Sequence, residues 1–161
     1  LAISYSALLI RGLLLFWSGW LSVVFASNLA DGLKQAEILP ASWRFASGNL
    51  SLISEAVGIY SFSRNRAPVL FGTVVLVQLA ASLLFWRAFL DRRAVTTPGH
   101  PKVLQAFSVA ASLFAGFLVA DEFFIVYDRL PALETTHFLV LCALLLSLLV
   151  ISVLGDGAQA D

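Results

Sequence analysis

The chain has 161 residues, of which 60% are hydrophobic and only 12% charged, whereas a soluble domain is about half apolar and about a quarter charged. With so little charge it cannot cover a water-facing surface, and this length leaves no room for a separate soluble enzyme beside one membrane domain. Ten basic residues balance ten acidic ones, so no basic excess points to nucleic acid, and the single Cys142 excludes an intramolecular disulfide or a CxxC redox or zinc site.

In chain order, the first apolar run covers residues 7–27, with Arg11 near enough to one end to snorkel into the interface. Arg11, the run to Phe25 and Val24-Phe25-Ala26 also fit a signal peptide with its cleavage site. Further apolar segments follow, so we read the stretch as an uncleaved first span. A polar but structured segment, 28–66, comes next. Leu29, Leu33 and Ala36 share a helical face away from Asp31, Lys34, Gln35 and Glu37, so the first helix is expected to continue until Pro40 stops it. From Asn49, the spacing of Leu50, Ile53, Val57 and Tyr60 predicts a short helix, with Asn49 or Ser51 available as its cap. It is too short to span, and is expected at the interface or folded against the bundle. Asn49-Leu50-Ser51 also matches a glycosylation sequon, a pattern frequent by chance.

The second span covers 68–90, with Pro68 suited to a first helical turn. The third covers 103–127, after the breaker cluster Thr97-Pro98-Gly99-His100-Pro101, and the fourth covers 137–154, ended by Gly155. Each run is long enough for ~30 Å of hydrocarbon at about 1.5 Å per residue. The runs are continuously apolar rather than alternating, which favours helices over a barrel. The fold class read from the sequence is therefore an all-α integral membrane protein, a four-transmembrane-helix bundle with a short interfacial helix between spans one and two.

An even number of spans puts both termini and the second-to-third loop on one side, here side A. The two other loops share side B. Arg87, Arg92, Arg93 and Lys102 crowd around one short loop on side A, whereas Lys34, Arg44, Arg64, Arg66 and Arg129 are dispersed on side B. The positive-inside rule weighs short loops, so side A is expected to be cytoplasmic, in a bacterial inner membrane. Within the third span Ser108, Ser112, Gly116 and Ala120 recur every four residues, and Ser18, Ser22 and Ala26 do so in the first. Such small-residue stripes permit close helix approach in lipid, so the two faces are expected to meet each other or a partner subunit. Trp17 and Trp20 lie mid-span, where an indole N–H needs an acceptor.

Chemistry concentrates on side B. Asp121 and Glu122 close the third span, Asp128 lies seven residues beyond Asp121, and Glu134 and His137 are spaced i, i+3 at the start of the fourth. Seven carboxylates gather on this side: Asp31, Glu37, Glu55, Asp121, Glu122, Asp128 and Glu134. Glu-x-x-His is half of the set used by di-iron bundles. The second half is missing, because His100 follows Thr97 and falls on side A. A mononuclear site of Asp121, Glu122, Glu134 and His137 stays open, with ligand types that suit a divalent metal ion such as zinc, iron or manganese. The competing structural reading has Glu134 favouring its helix N-terminus and Glu122 pairing with Arg129, Arg64 or Arg66. The spans carry almost no buried charge and no matched Gly/Pro breaks, against a coupled transporter. Nucleophile elbows, P-loops and dinucleotide fingerprints are absent, so catalysis by this chain alone is not expected.

The leading expectation is a non-catalytic membrane subunit or accessory protein of a larger inner-membrane complex, in contact with lipid and with other membrane subunits or copies of itself. The alternative is a membrane metal-binding protein or oxidoreductase component built on the Asp121, Glu122, Glu134 and His137 cluster. A small-solute transporter ranks last.

Overall fold

The computed structural model describes residues 5–58, 66–97 and 99–157. Tyr60, Arg64 and Pro98, singled out above, lie outside them, as do positions 59–65 of the polar segment. Among the described residues seven helices follow one another: α1 (Tyr5–Gln35), α2 (Asn49–Val57), α3 (Ala67–Leu90), α4 (Arg92–Thr96), α5 (Pro101–Phe123), α6 (Val126–Arg129) and α7 (Pro131–Gly157). Among the described residues there is no strand. The helices α1, α3, α5 and α7 are long and apolar enough to cross a membrane. The chain is a four-helix membrane bundle, as its apolar runs predict.

Charges mark the slab these helices cross. Arg11 to Asp31 on α1 spans ~30 Å and Lys102 to Asp121 on α5 ~28 Å, at 1.5 Å rise per residue. These charge-free lengths match a hydrocarbon core of ~30 Å. The outward faces carry Leu15, Leu76, Leu146, Leu149 and Val153, all exposed, the surface that membrane-embedded helices turn to lipid.

Helix boundaries follow local chemistry. At the end of α1, Glu37 adopts a left-handed φ of 60°. The Ile38 N–H then reaches the Leu33 carbonyl at 2.9 Å, and the Glu37 N–H reaches that of Lys34 at 3.1 Å. This is a Schellman closure with Glu where Gly is usual, and it ends α1 at Gln35 rather than at Pro40. The third span stops at Phe123 rather than Tyr127, because Ile125 takes a left-handed φ of 53°. Asp128 therefore falls on the separate one-turn α6, and shares no continuous helical face with Asp121. The fourth helix starts at Pro131, six residues before the expected start at His137. Proline suits that position because it fixes φ and has no N–H to leave unpaired.

The long helices pack in sequence, α1 on α3, α3 on α5 and α5 on α7, with a lighter contact closing α7 back to α1. The centre is aromatic: Phe85 and Phe107 are fully buried and meet edge to face at 4.8 Å, and Trp17 packs on Phe85. In lipid it is this van der Waals fit, rather than burial from water, that draws apolar helices together. The Trp17 indole finds its acceptor in Ser147 Oγ of α7 at 3.0 Å.

Candidate functional site

Polar side chains enter the bundle at its side-B end in two clusters, one in each half. The first begins on α1, where Asn28 and Asp31 lie one turn apart and are 1% and 3% exposed. Asn28 Nδ2 donates to Gln78 Oε1 of α3 at 2.8 Å, and its Oδ1 accepts from Asn49 Nδ2 at 2.9 Å. Asp31 Oδ2 accepts from the Leu50 N–H at 2.9 Å and the Ser47 hydroxyl at 3.3 Å. Gly48 occupies the N-cap position of α2 and offers no side chain. The cap is thus not Asn49 or Ser51 but a carboxylate from another helix, placed where the helix dipole favours negative charge. Asn49 is turned inward to Asn28, which uses the amide of the sequon internally. Deeper in the same seam, Ser22 Oγ meets Ser82 Oγ at 2.8 Å and accepts from Trp86 Nε1 at 3.0 Å.

The second cluster joins α5 to α7. His137 Nδ1 lies 2.6 Å from Asp121 Oδ2, and the Asp121 side chain is 6% exposed. The imidazole stacks on Phe117 at 4.6 Å, with Phe114 on its flank. A carboxylate at Nδ1 fixes ring orientation and leaves Nε2 as the imidazole's free donor or acceptor. Of the four candidate ligands the fold brings together Asp121 and His137. Glu122 is exposed, Glu134 is half-buried, and neither joins that contact. Among the described residues no group of three or more His, Cys, Asp or Glu is gathered that could hold a metal ion. The Arg129 side chain lies outside the described atoms.

The small-residue stripe of α5 faces outward. Ser108, Ser112 and Gly116 are exposed and, with Val74, Val77 and Phe117, line an open groove of about 530 Å³ between α3 and α5. Ala120 is half-buried at the end of the stripe. The matching serines of α1 turn elsewhere: Ser18 is fully buried and Ser22 engages α3. The two stripes do not face one another. Ser18, Ser147 and Ser152 each donate to a carbonyl one turn back. The hydroxyls of Ser108 and Ser112 make no hydrogen bond among the described residues.

At side A the α3–α5 connection is pinned by Asp91. Its carboxylate accepts from the Arg93 N–H and from Lys102 Nζ, with His100 Nε2 4.0 Å away. The Lys102 hydrogen bond, followed by that of the Arg93 N–H, holds the Asp91 carboxyl below its ordinary value of 3.8. Next to this hinge, His100 Nδ1 accepts from the Lys102 N–H and so caps α5.

Gln78 is the notable polar side chain of the second apolar run, and the sequence does not show its partner Asn28. Asp31, read in the sequence as lying off the apolar face of an extended first helix, is with Asn28 a buried anchor of the α1 half. The signal available was their i, i+3 spacing beside the apolar run. Comparison of the chain with protein families, with characterised proteins and with solved structures returns no match.

Proposed function

We propose that this chain is a non-catalytic subunit or accessory protein of a larger membrane complex, docking a transmembrane helix in the groove between α3 and α5. The observation that carries this reading is the outward stripe of Ser108, Ser112 and Gly116, whose two hydroxyls make no hydrogen bond among the described residues. Small residues let a second helix approach closely, and serine hydroxyls bond across such contacts. The filled aromatic centre fits a structural role better than a solute path, since the groove opens toward lipid rather than between the four helices. The crowded basic residues around the short α3–α5 loop support cytoplasmic termini in a bacterial inner membrane.

The test is solubilisation of native membranes in mild detergent, followed by sizing and identification of stoichiometric partners. Gly116→Leu and Ser112→Leu fill the groove and should release the partner or split a self-associated form. Val119→Leu, on the exposed surface of the same helix, should not. A wild-type chain that runs as a monomer with nothing bound sinks the proposal.

A second reading, a metal-binding or redox component, draws on one observation: a histidine oriented by a buried carboxylate. Elemental analysis of native protein against His137→Ala and Glu134→Ala decides it, and no metal in any sample removes it.

A further inference from the structure

The α2 helix has nine residues, too few to be stable alone in water. Its polar hold on the bundle comes from one short stretch of α1. Asp31 caps it through the Leu50 N–H, Asn28 accepts from Asn49, and the Ser27 carbonyl accepts from the Ser47 N–H at 3.2 Å. The rest is apolar contact, in which Leu50, Ile53 and Val57 cluster with Ala67, Phe71 and Val75 of α3, Phe25 of α1 and Phe124 just after α5.

These contacts divide sharply by depth. Asp31 stands at the boundary of the charge-free slab, so its carboxylate would meet water as soon as α2 lifts. The contacts below it, Asn28 with Gln78 and Ser22 with Ser82, join α1 to α3 directly and do not involve α2. Lifting α2 therefore breaks only α2's own contacts, the condition for a local opening that costs less than unfolding the bundle. We propose that α2 and its preceding strap, residues 36–57, form a lid latched by Asp31 over the side-B mouth of the α1–α3 seam. Open, it admits water to Asn28, the first of a series of polar groups that continues through Gln78 to Ser22 and Ser82. Closed, it seals that series behind Leu50 and Val57, which are 8% and 3% exposed.

The experiment uses the full chain in nanodiscs, with Cys142→Ser removing the native thiol and Val57→Cys reporting on the underside of the lid. A membrane-impermeant maleimide is the probe. Val57→Cys should react slowly with Asp31 intact and a few-fold faster with Asp31→Asn, which keeps an acceptor but loses the charge. With Asp31→Ala, which loses the cap, it should react about tenfold faster. Ala81→Cys, fully buried in the middle of α3, should stay unreacted throughout. Labelling of Val57→Cys at the same rate in all three backgrounds overturns the latch. Labelling of Ala81→Cys at the rate of Val57→Cys shows global unfolding and overturns the lid. Should Asp31→Ala fail to fold, the comparison of Asp31 with Asp31→Asn carries the test alone.

Discussion

The α1–α3 and α5–α7 seams join antiparallel helices across the same slab with opposite materials. Between α1 and α3 the glue is neutral and distributed. Hydroxyls and an indole meet midway, an amide pair lies nearer side B, and α2 covers the end. Between α5 and α7 it is ionisable and concentrated, one Asp121–His137 contact at the boundary backed by stacked rings. The difference follows from cost. An amide or hydroxyl in hydrocarbon needs only a partner, whereas an ionisable group is expensive at any depth without water nearby. Polarity in this bundle deepens where it is neutral and stays at the rim where it is charged.

Breaking the distributed seam should have the largest effect. Asn28→Ala removes both hydrogen bonds of Asn28 and leaves Gln78 buried without its donor, at a cost of about 1–3 kcal/mol. Thermal unfolding in detergent should show this loss, and a smaller one for the double variant with Gln78→Leu, which leaves no orphaned amide. A smaller effect is expected at the other seam. Asp121→Asn keeps an acceptor near His137 and should be nearly neutral, whereas Asp121→Ala should cost about 1 kcal/mol. Equal losses for both variants would show that charge, rather than the hydrogen bond, holds α5 to α7.

A stabilising change of similar size sharpens the contrast at the α5–α6 corner. Ile125 is β-branched and left-handed, a conformation that costs an L-residue about 1–2 kcal/mol. Ile125→Gly should therefore raise the unfolding temperature, and a drop would mean that the exposed side chain makes contacts worth more than the strain. The smallest effect belongs to side A. The Asp91 carboxyl is held below its ordinary value, so its contribution is complete above about pH 4. That contribution disappears as pH falls through the lowered value in the folded state. The stability gap between wild type and Asp91→Asn should close on acidification from pH 5 to pH 3, and a gap that widened would reverse the sign.

The spans were legible because lipid reads only length and polarity, and Pro68 and Pro101 marked two of their starts. The rotation of each span about its axis was not. Ser108, Ser112 and Gly116 form the same stripe whether they face α1, a partner or lipid, and it is the packing of Phe107 and Phe114 inward that turns them out. Pairings were hidden for a related reason. The i, i+3 spacing of Asn28 and Asp31 defines a face but not what crosses it, and α2's cap stands nineteen positions away in sequence. The corner at Ile125 left no trace at all, since no glycine or proline announces it.

The near-equal charge-free lengths of α1 and α5 bear on where the protein is comfortable. Helices matched to the hydrocarbon need neither tilt nor thin the bilayer. A host membrane several ångströms thicker would pull Asp31, Asp121 and His137 below the headgroups together, straining the latch and the rim pair at once.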